Sequence, residues 1–335
     1  MYWSCPYPWQ KALWQQICQQ KQRGRIAHAY LLGGDAGLGK ADFAQAFAAL
    51  LLCENATTDA ACGQCRSCTL LASGSQPDFL EIAPEEGSKV VKIDQVRQMA
   101  DFIGKTRHGA VAKLVILHQA DALNGAAANA LLKTLEEPPG NTVLLLLSNR
   151  PGALLATIRS RCQKLHFRIP EWQDAAAWLA TKLPELDSQF LLQQAQGRPL
   201  QALRMHSDGS LETGLKVLRG IVGLWSGKIP ATELVELCKT LEAVQLHTQF
   251  YQLSSILIKA LLARDVSATS DKTLQGLIQQ LAGLSAGQRD QALEQLLAIN
   301  QSAAQARNQL MGSANPNPGL ILQSLIGQWY QLGTL

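Results

Sequence analysis

The feature that most constrains this chain is the stretch Leu31–Lys40, which reads LLGGDAGLGK. Gly34, Gly39 and Lys40 match the phosphate loop G-x-x-x-x-G-K-[ST], but Ala41 stands where that pattern requires a hydroxyl. Such a loop turns backbone N–H groups around a phosphate at the positive end of the next helix, and its lysine reaches the terminal phosphates. The missing hydroxyl is the one that would hold Mg²⁺. The stretch therefore predicts a nucleotide-binding loop that lacks this Mg²⁺ ligand.

The segments around this loop predict a parallel α/β sheet. A strand over Arg25–Leu32, the glycine loop and an alanine-rich helix over Lys40–Leu52 follow in the order that opens a doubly wound fold. Ser148 and Asn149 end a later strand, at the edge where such sheets place ligand-sensing polar groups. Apolar spacing further predicts helices at 9–22, 93–103, 126–137 and 153–161, and strands at 113–117, 141–148 and 164–167.

The end of the strand Lys113–Leu117 bears on whether the chain hydrolyses ATP. In an active phosphate-loop enzyme this strand ends in two acidic residues, one that holds Mg²⁺ and one that activates water. His118 and Gln119 occupy those places, and Asp121 would need a register shift to substitute. We therefore expect ADP or ATP, if bound, to be held without hydrolysis. The residues predicted to hold it are Gly34, Gly37, Gly39 and Lys40.

Four of the eight cysteines lie close together, at Cys53, Cys62, Cys65 and Cys68. Their spacing, C-x8-C-x2-C-x2-C, suits a tetrahedral Zn²⁺ site with no open position, so the metal would be structural. Four unrelated buried thiols and a redox pair are the alternatives. The remaining cysteines are scattered and are predicted to be packing residues: Cys5, Cys18, Cys162 and Cys238.

Composition narrows the class of protein. A chain of 335 residues exceeds one ordinary core, so two or three domains are expected. No apolar run reaches the roughly 18 residues of a membrane helix, and clustered cysteines without a signal peptide favour the cytoplasm. The net charge of +4 is too small to indicate nucleic-acid binding by itself. The local cations Lys21, Arg23 and Arg25 are either a DNA contact or a solvated face.

Beyond Pro170 the pattern is helical, which places a domain boundary near residue 168. We predict an α/β domain over 1–168 with a zinc module at 53–68, a small helical domain over 169–207 and an all-helical domain over 208–335. The run Asn315–Pro318 is predicted to begin the last helix, since proline suits a first helical position. The other helices are expected at 171–182, 187–196, 200–205, 211–224, 233–262, 274–281 and 286–311.

Several motifs together resemble a known family. These are HAYLLGGDAGLGK (His28–Lys40), the four cysteines, NALLKTLEEPP (Asn129–Pro139) and SRC (Ser160–Cys162), and they are similar to bacterial clamp-loader AAA+ subunits in order and spacing over about the first 205 residues. The resemblance implies an AAA+ α/β domain, a RecA-like parallel sheet with helices on both faces. It also implies a small helical lid and an all-α C-terminal collar domain through which subunits form a ring.

Two branches of this family share the plan, the ATP-hydrolysing gamma/tau branch and the non-hydrolysing delta-prime branch. Ala41, His118 and Gln119 favour the delta-prime branch. So does Leu200, because it stands where the lid would carry a nucleotide-sensing arginine. Arg198 is the alternative sensor, but it precedes Pro199 and is expected to project elsewhere.

The delta-prime branch implies a component of the DNA polymerase III holoenzyme with no catalytic centre of its own. Its implied partners are gamma/tau and delta subunits, the beta sliding clamp and primed DNA, with no membrane. Arg161 is implied to act in trans as an arginine finger on ATP held by a neighbouring subunit, the alternative being an exposed arginine with a local partner. The alternative functions are an active gamma/tau-like ATPase and a zinc-stabilised nucleic-acid-binding module.

Overall fold

The computed structural model describes residues 3–107, 112–263, 272–311 and 317–335. These residues form two compact units. The first unit comprises Met1–Lys182 with Gly197–Gln201, and the second comprises Leu183–Gln196 with Ala202–Leu335. No helix in the described part of the chain has the length and apolar character needed to cross a membrane.

The first unit is built on a five-stranded sheet in the order β2-β3-β4-β1-β5, with every neighbouring pair parallel. Leu31 of β1, an inner strand, pairs with Leu146 on one side and Lys164 on the other. The strands are β1 (Ala29–Gly33), β2 (Phe79–Ile82), β3 (Lys113–Leu117), β4 (Thr142–Ser148) and β5 (Gln163–His166).

Helices cover both faces of this sheet, which explains why its inner strands are buried along their whole length and are mostly apolar. Tyr30 and Leu32 of β1 face a core shared with the helices at 11–22 and 40–52. Ala29 and Leu31 face a second core shared with the helices at 93–104, 125–136 and 156–161. The helices of this unit are α1 (Lys11–Gln22), α2 (Lys40–Leu52), α3 (Arg66–Ala72), α4 (Ile93–Gly104), α5 (Gly125–Glu136), α6 (Ala156–Arg161) and α7 (Trp172–Lys182). Short 3₁₀ turns lie at Pro8–Gln10, Ala120–Ala122 and Pro151–Ala153.

The second unit is helical throughout its described residues. Its core is a continuous apolar cluster that includes Phe250, Leu277, Leu296 and the fully buried Trp329. Its helices are α8 (Ser188–Gln194), α9 (Pro199–Ser207, whose first residues belong to the first unit), α10 (Ser210–Trp225), α11 (Ala231–Lys239), α12 (Ala243–Ala263), α13 (Lys272–Ala282), α14 (Ala286–Met311) and α15 (Pro318–Gly333).

The predicted fold class, an α/β sheet domain followed by helical regions, is confirmed. The first strand was predicted too long, because Arg25 donates its N–H to Gln20 O within the turn that ends α1 and strand pairing begins only at Ala29. The helix predicted over 233–262 is wrong as a single element. It divides at 240–242, where Glu242 caps the start of α12 by accepting the N–H groups of Val244 and Gln245.

The strand β2 was not predicted from the sequence. Asn317 caps α15 and Pro318 begins it, while Asn315 and Pro316 lie outside the described residues. The division into domains at 168 and 207 stays a prediction.

Candidate functional site

The predicted phosphate loop connects the carboxyl end of β1 to the first turn of α2, at the edge of the sheet where α/β folds bind ligands. Gly37 and Gly39 both adopt φ of +81°, which side chains other than glycine's rarely tolerate. A Cβ on Gly37 would lie 2.7 Å from Cβ of Gln201, and a Cβ on Gly39 would collide with the ring of Tyr7. The loop is therefore enclosed by other parts of the first unit.

Lys40 is directed back into the loop. Its ammonium donates hydrogen bonds to Gly34 O at 2.6 Å, Asp35 O at 2.7 Å and Asn149 Oδ1 at 2.8 Å. The residue is only 7% exposed, and this burial lowers the pKa of Lys40 to about 8, although the charges of Asp35 and Asp121 partly oppose the shift. Three internal acceptors thus satisfy the group that would reach a nucleotide's phosphates.

Asp121 comes close to this lysine although it lies past the end of β3. Gln119 adopts a left-handed conformation with φ of +52°, and Asp121 follows it in a short 3₁₀ turn. The Asp121 carboxylate accepts the Asn149 N–H at 3.1 Å and Arg150 Nε at 3.3 Å. Asp121 therefore holds the residue that in turn holds Lys40.

At the other positions that contribute to a nucleotide site, the side chains are neither the acidic pair after β3 nor the sensing arginine. His118, at the end of β3, places Nε2 3.4 Å from Glu81 Oε1, and this contact lowers the pKa of Glu81. Leu200 donates its backbone N–H to Gly37 O, so the predicted sensor position brings an amide and an apolar side chain to the loop. Arg198 lies just before Pro199, the first residue of α9.

The N-terminal residues approach the loop from another side, which the sequence did not predict. Gln10 donates through Nε2 to Leu38 O at 2.9 Å and to Gly39 O at 3.0 Å, and Trp9 Nε1 donates to Leu38 O at 3.1 Å. The hydroxyl of Tyr7 donates to Asp42 in the first turn of α2. These residues lie about 30 positions before the loop, and no motif in the sequence links them to it.

The four predicted zinc ligands converge. The sulfur atoms of Cys53, Cys62, Cys65 and Cys68 all lie within 4.8 Å of one another. The Sγ–Sγ distances are 3.9 Å for Cys53 and Cys65 and 4.0 Å for Cys62 and Cys68. In a tetrahedral site with Zn–S bonds of about 2.3 Å, the sulfurs lie about 3.8 Å apart, so the cluster has the dimensions of a zinc site.

Backbone amides surround these sulfurs. Cys62 N–H donates to Cys53 Sγ at 3.2 Å, Cys65 N–H to Cys62 Sγ at 3.3 Å, and Cys68 N–H to Cys65 Sγ at 3.4 Å. Hydrogen bonds from the N–H groups of Gln64 and Cys65 lower the pKa of Cys62 to about 6, whereas burial raises the pKa of Cys53. Amide donors favour the thiolate form that binds metal.

The predicted arginine finger is the last residue of α6. Arg161 donates through Nη1 to Thr157 O at 3.0 Å, and its Nη2 lies 2.6 Å from Glu136 Oε1. Its side chain is 36% exposed. The adjacent Cys162 is buried, and this burial raises the pKa of its thiol to about 11. The three cations at 21, 23 and 25 lie at the end of α1, where Arg23 and Arg25 are exposed.

Comparison with known proteins identifies the family. A family model described as DNA polymerase III, delta subunit, matches residues 9–171. The DNA polymerase III subunit delta' of Pseudomonas aeruginosa is 38% identical over 329 residues, which are 97% of this chain and 98% of that protein. The chain belongs to the DNA polymerase III delta' family.

The similarity to tau subunits extends over a shorter part of the chain. The DNA polymerase III subunit tau of Bacillus subtilis is 31% identical over 223 residues, covering 67% of this chain and 37% of that protein. The delta' relative therefore matches nearly the whole chain and the tau relative only part of it. Among solved structures, a gamma subunit-related protein of Thermotoga maritima aligns with a TM-score of 0.47 and 20% identity, covering 97% of this chain and 99% of that one.

Proposed function

We propose that this delta'-family subunit acts in the clamp loader without hydrolysing ATP. It assembles with gamma/tau and delta subunits and helps them load the beta sliding clamp onto primed DNA. The main observation behind the proposal is that the Lys40 ammonium donates three hydrogen bonds to acceptors within its own unit. Beside it, Ala41 offers no ligand for Mg²⁺, and His118 and Gln119 offer no acidic pair.

Binding of ADP or ATP is a separate question from hydrolysis. Gly37 and Gly39 would place backbone N–H groups around the phosphates, beside Gly34, whose own N–H donates to Ser148 O at 3.3 Å. Lys40 would have to exchange its internal acceptors for phosphate oxygens. The exchange replaces charge-assisted hydrogen bonds by others of the same kind. A nucleotide would thus be held passively, with its phosphates oriented by the loop.

Arg161 is the residue through which the subunit would promote a neighbour's catalysis. Its ion pair with Glu136 is partly exposed, and such pairs contribute about 1 kcal/mol or less, so the guanidinium can change partners at small cost. An arginine finger neutralises charge that develops on the transferred phosphoryl group and raises the rate by roughly 10³–10⁵.

Zn²⁺ is the proposed structural cofactor. Cys53, Cys62, Cys65 and Cys68 would supply four thiolates, which leaves no position for water and gives the metal a folding role. The described geometry supports zinc over four unrelated thiols because all four sulfurs lie within 4.8 Å of one another.

The test is reconstitution of the assembly with variants of this subunit. We expect Arg161→Ala to fold and assemble but to lower DNA-stimulated ATP hydrolysis and clamp loading on the order of 10³-fold. Arg161→Lys should restore little, because an ammonium lacks the planar fork. Glu136→Gln is the matched control: it removes the same ion pair but keeps the guanidinium, so near-normal rates are expected. Normal rates with Arg161→Ala would refute the finger.

An active ATPase is the second candidate, and Asp121 is the observation that favours it. This carboxylate lies close enough to Lys40 to oppose the lowering of its pKa, so the site does contain an acidic group. The isolated subunit distinguishes the candidates. We expect no ATP turnover above background; metal-dependent turnover abolished by both Lys40→Ala and Asp121→Asn would establish the ATPase instead. Membership of the delta' family leaves the nucleic-acid module without support.

A further inference from the structure

The N-terminal residues 3–10, here called the strap, connect the cysteine cluster to the phosphate loop. At the cluster end, Trp3 O accepts the N–H of Ala61 at 2.7 Å. The indole of Trp3 lies against Gly63, where an added Cβ would approach its Nε1 to 3.3 Å. Both contacts fall between Cys53 and Cys65, in a segment that forms neither helix nor strand. The position of this segment therefore depends on what fixes the four sulfurs.

At its other end the strap fixes the phosphate loop. Trp9 and Gln10 donate three hydrogen bonds to the carbonyls of Leu38 and Gly39. Gln10 is 1% exposed and Leu38 is 1% exposed, so water does not replace these bonds readily. The ring of Tyr7 covers Gly39 directly.

A second connection runs in parallel through α1. Trp14 donates through Nε1 to Asp59 O in the cysteine segment at 2.8 Å. The same ring meets Phe43, in the first turns of α2, edge-on at 5.5 Å between centroids. Two independent connections thus join the cluster to the elements that flank Lys40.

We propose that metal binding at the cysteine cluster sets the conformation of the phosphate loop through the strap. The inference rests on the proposed zinc site and adds a role for it. With zinc bound, the segment between Cys53 and Cys65 is fixed, and Trp3 is held there. The strap then holds Leu38 and Gly39 through the hydrogen bonds from Trp9 and Gln10. Without zinc, Trp3 loses its anchor and the strap's hydrogen bonds to the loop open more often.

Hydrogen exchange of the full-length protein tests this, with peptides covering residues 36–43 and, as an internal reference, β3 and β4. Zinc-loaded protein is compared with protein treated with a chelator under reducing conditions. We expect chelation to speed exchange at 36–43 on the order of tenfold, because a loop whose Leu38 and Gly39 carbonyls lose their side-chain donors opens more often, while β3 and β4 remain unchanged.

Two variants separate the strap from the metal. Trp3→Ala should speed exchange at 36–43 while zinc content stays at one equivalent, and chelation should then add less than it does in the wild type, because only the connection through Trp14 remains. Gln10→Ala removes two hydrogen bonds at the phosphate-loop end of the strap. It should likewise speed exchange at 36–43 and leave zinc content at one equivalent. Gln15→Ala, an exposed position on α1, is the matched control and should behave as the wild type.

Each outcome decides a different proposal. Protein that retains no zinc under metal-replete conditions overturns both the zinc site and the strap. If the protein binds zinc but exchange at 36–43 is unchanged on chelation, the proposed link through the strap is refuted while the zinc site stands. Unchanged exchange in both strap variants has the same meaning. Simultaneous loss of protection in β3 and β4 would show general unfolding and would also refute it.

Discussion

Lys40 is a buried cation whose acceptors all belong to its own unit, and its titration follows from that position. Burial lowers its pKa to about 8 from the ordinary value of 10.5. The folded chain releases this proton near pH 8 and the unfolded chain near pH 10.5. Between these values the unfolded state binds more protons, so this group makes the protein more stable as the pH rises.

Lys40→Met removes that titration and gives the first prediction. Relative to the variant, the wild type should gain up to about 1.4 kcal/mol in unfolding free energy per pH unit between pH 8 and 10. Urea unfolding of both proteins at several pH values measures this difference. The interval from pH 6 to 7 serves as reference, where the difference should be constant. Parallel curves up to pH 10 would show that burial does not shift the pKa.

A pair of glycines gives a second prediction at the same scale. Gly39 and Gly74 have similar backbones, with φ of +81° and +71°, but a Cβ on Gly74 would meet nothing within 4 Å. Gly74→Ala should cost about 1–2 kcal/mol for the left-handed backbone alone. Gly39→Ala should cost at least about 1 kcal/mol more, because the Tyr7 ring must also move. Equal losses in urea unfolding would contradict the enclosure of the loop by Tyr7.

The sequence identified part of this site because part of it is local. Lys40 and Asn149 could be placed by motif and by strand end, and they do meet. Asp121 was expected to need a register shift. What brings it close is the left-handed backbone at Gln119, which an L-residue adopts rarely and which no pattern announces.

At the scale of elements, the helix α3 is too short to be stable in isolation, and its first turn is held by the cysteine cluster. The helix α3 has seven residues, whereas isolated helices below about 12–15 residues are marginal in water. Its first-turn amide, Cys68 N–H, donates to Cys65 Sγ, so a proposed zinc ligand is also the helix cap. Folding of this segment should therefore require the metal.

Cys62→Ser tests that requirement. We expect zinc content to fall from one equivalent to below about a tenth, and α3 amides to lose protection from exchange. Cys5→Ser is the matched control, because Cys5 is not in the cluster and a serine hydroxyl can also donate to Tyr7 O. Full zinc content in Cys62→Ser would show that the four cysteines do not act as one site.

The predictability of each element depended on how much of it is buried. The strand Lys113–Leu117 was predicted with its observed bounds because both of its faces are covered and all five residues are buried. The edge strand β2, FLEI, has four residues and only Ile82 is buried, so it carries no periodic signal. The break at 240–242 was missed because Thr, Leu and Glu are all compatible with a helix, and only the capping by Glu242 shows the end.

At the scale of the whole molecule, the second unit has a core of its own. A fragment spanning residues 183–335 should therefore fold alone, with a helical spectrum and cooperative urea unfolding. In that fragment Trp329→Ala should cost about 3–5 kcal/mol, because Trp329 is fully buried in the cluster. The neighbouring Tyr330 is 51% exposed, so Tyr330→Ala should change stability by about 0.5 kcal/mol or less. An unfolded fragment, or equal losses, would contradict an independent core.

The strand order has a consequence for biosynthesis. β1 is an inner strand of its sheet, and its partners are β4 and β5, which end at Ser148 and His166. On the ribosome, β1 and α2 therefore emerge on the order of ten seconds before their partners, at ordinary elongation rates. During that interval the apolar faces of Tyr30, Phe43 and Phe47, all fully buried in the finished protein, have no sheet to cover them. The nascent chain thus carries an uncovered apolar surface throughout this interval, and we expect a holding chaperone to engage it between Ala29 and Leu52.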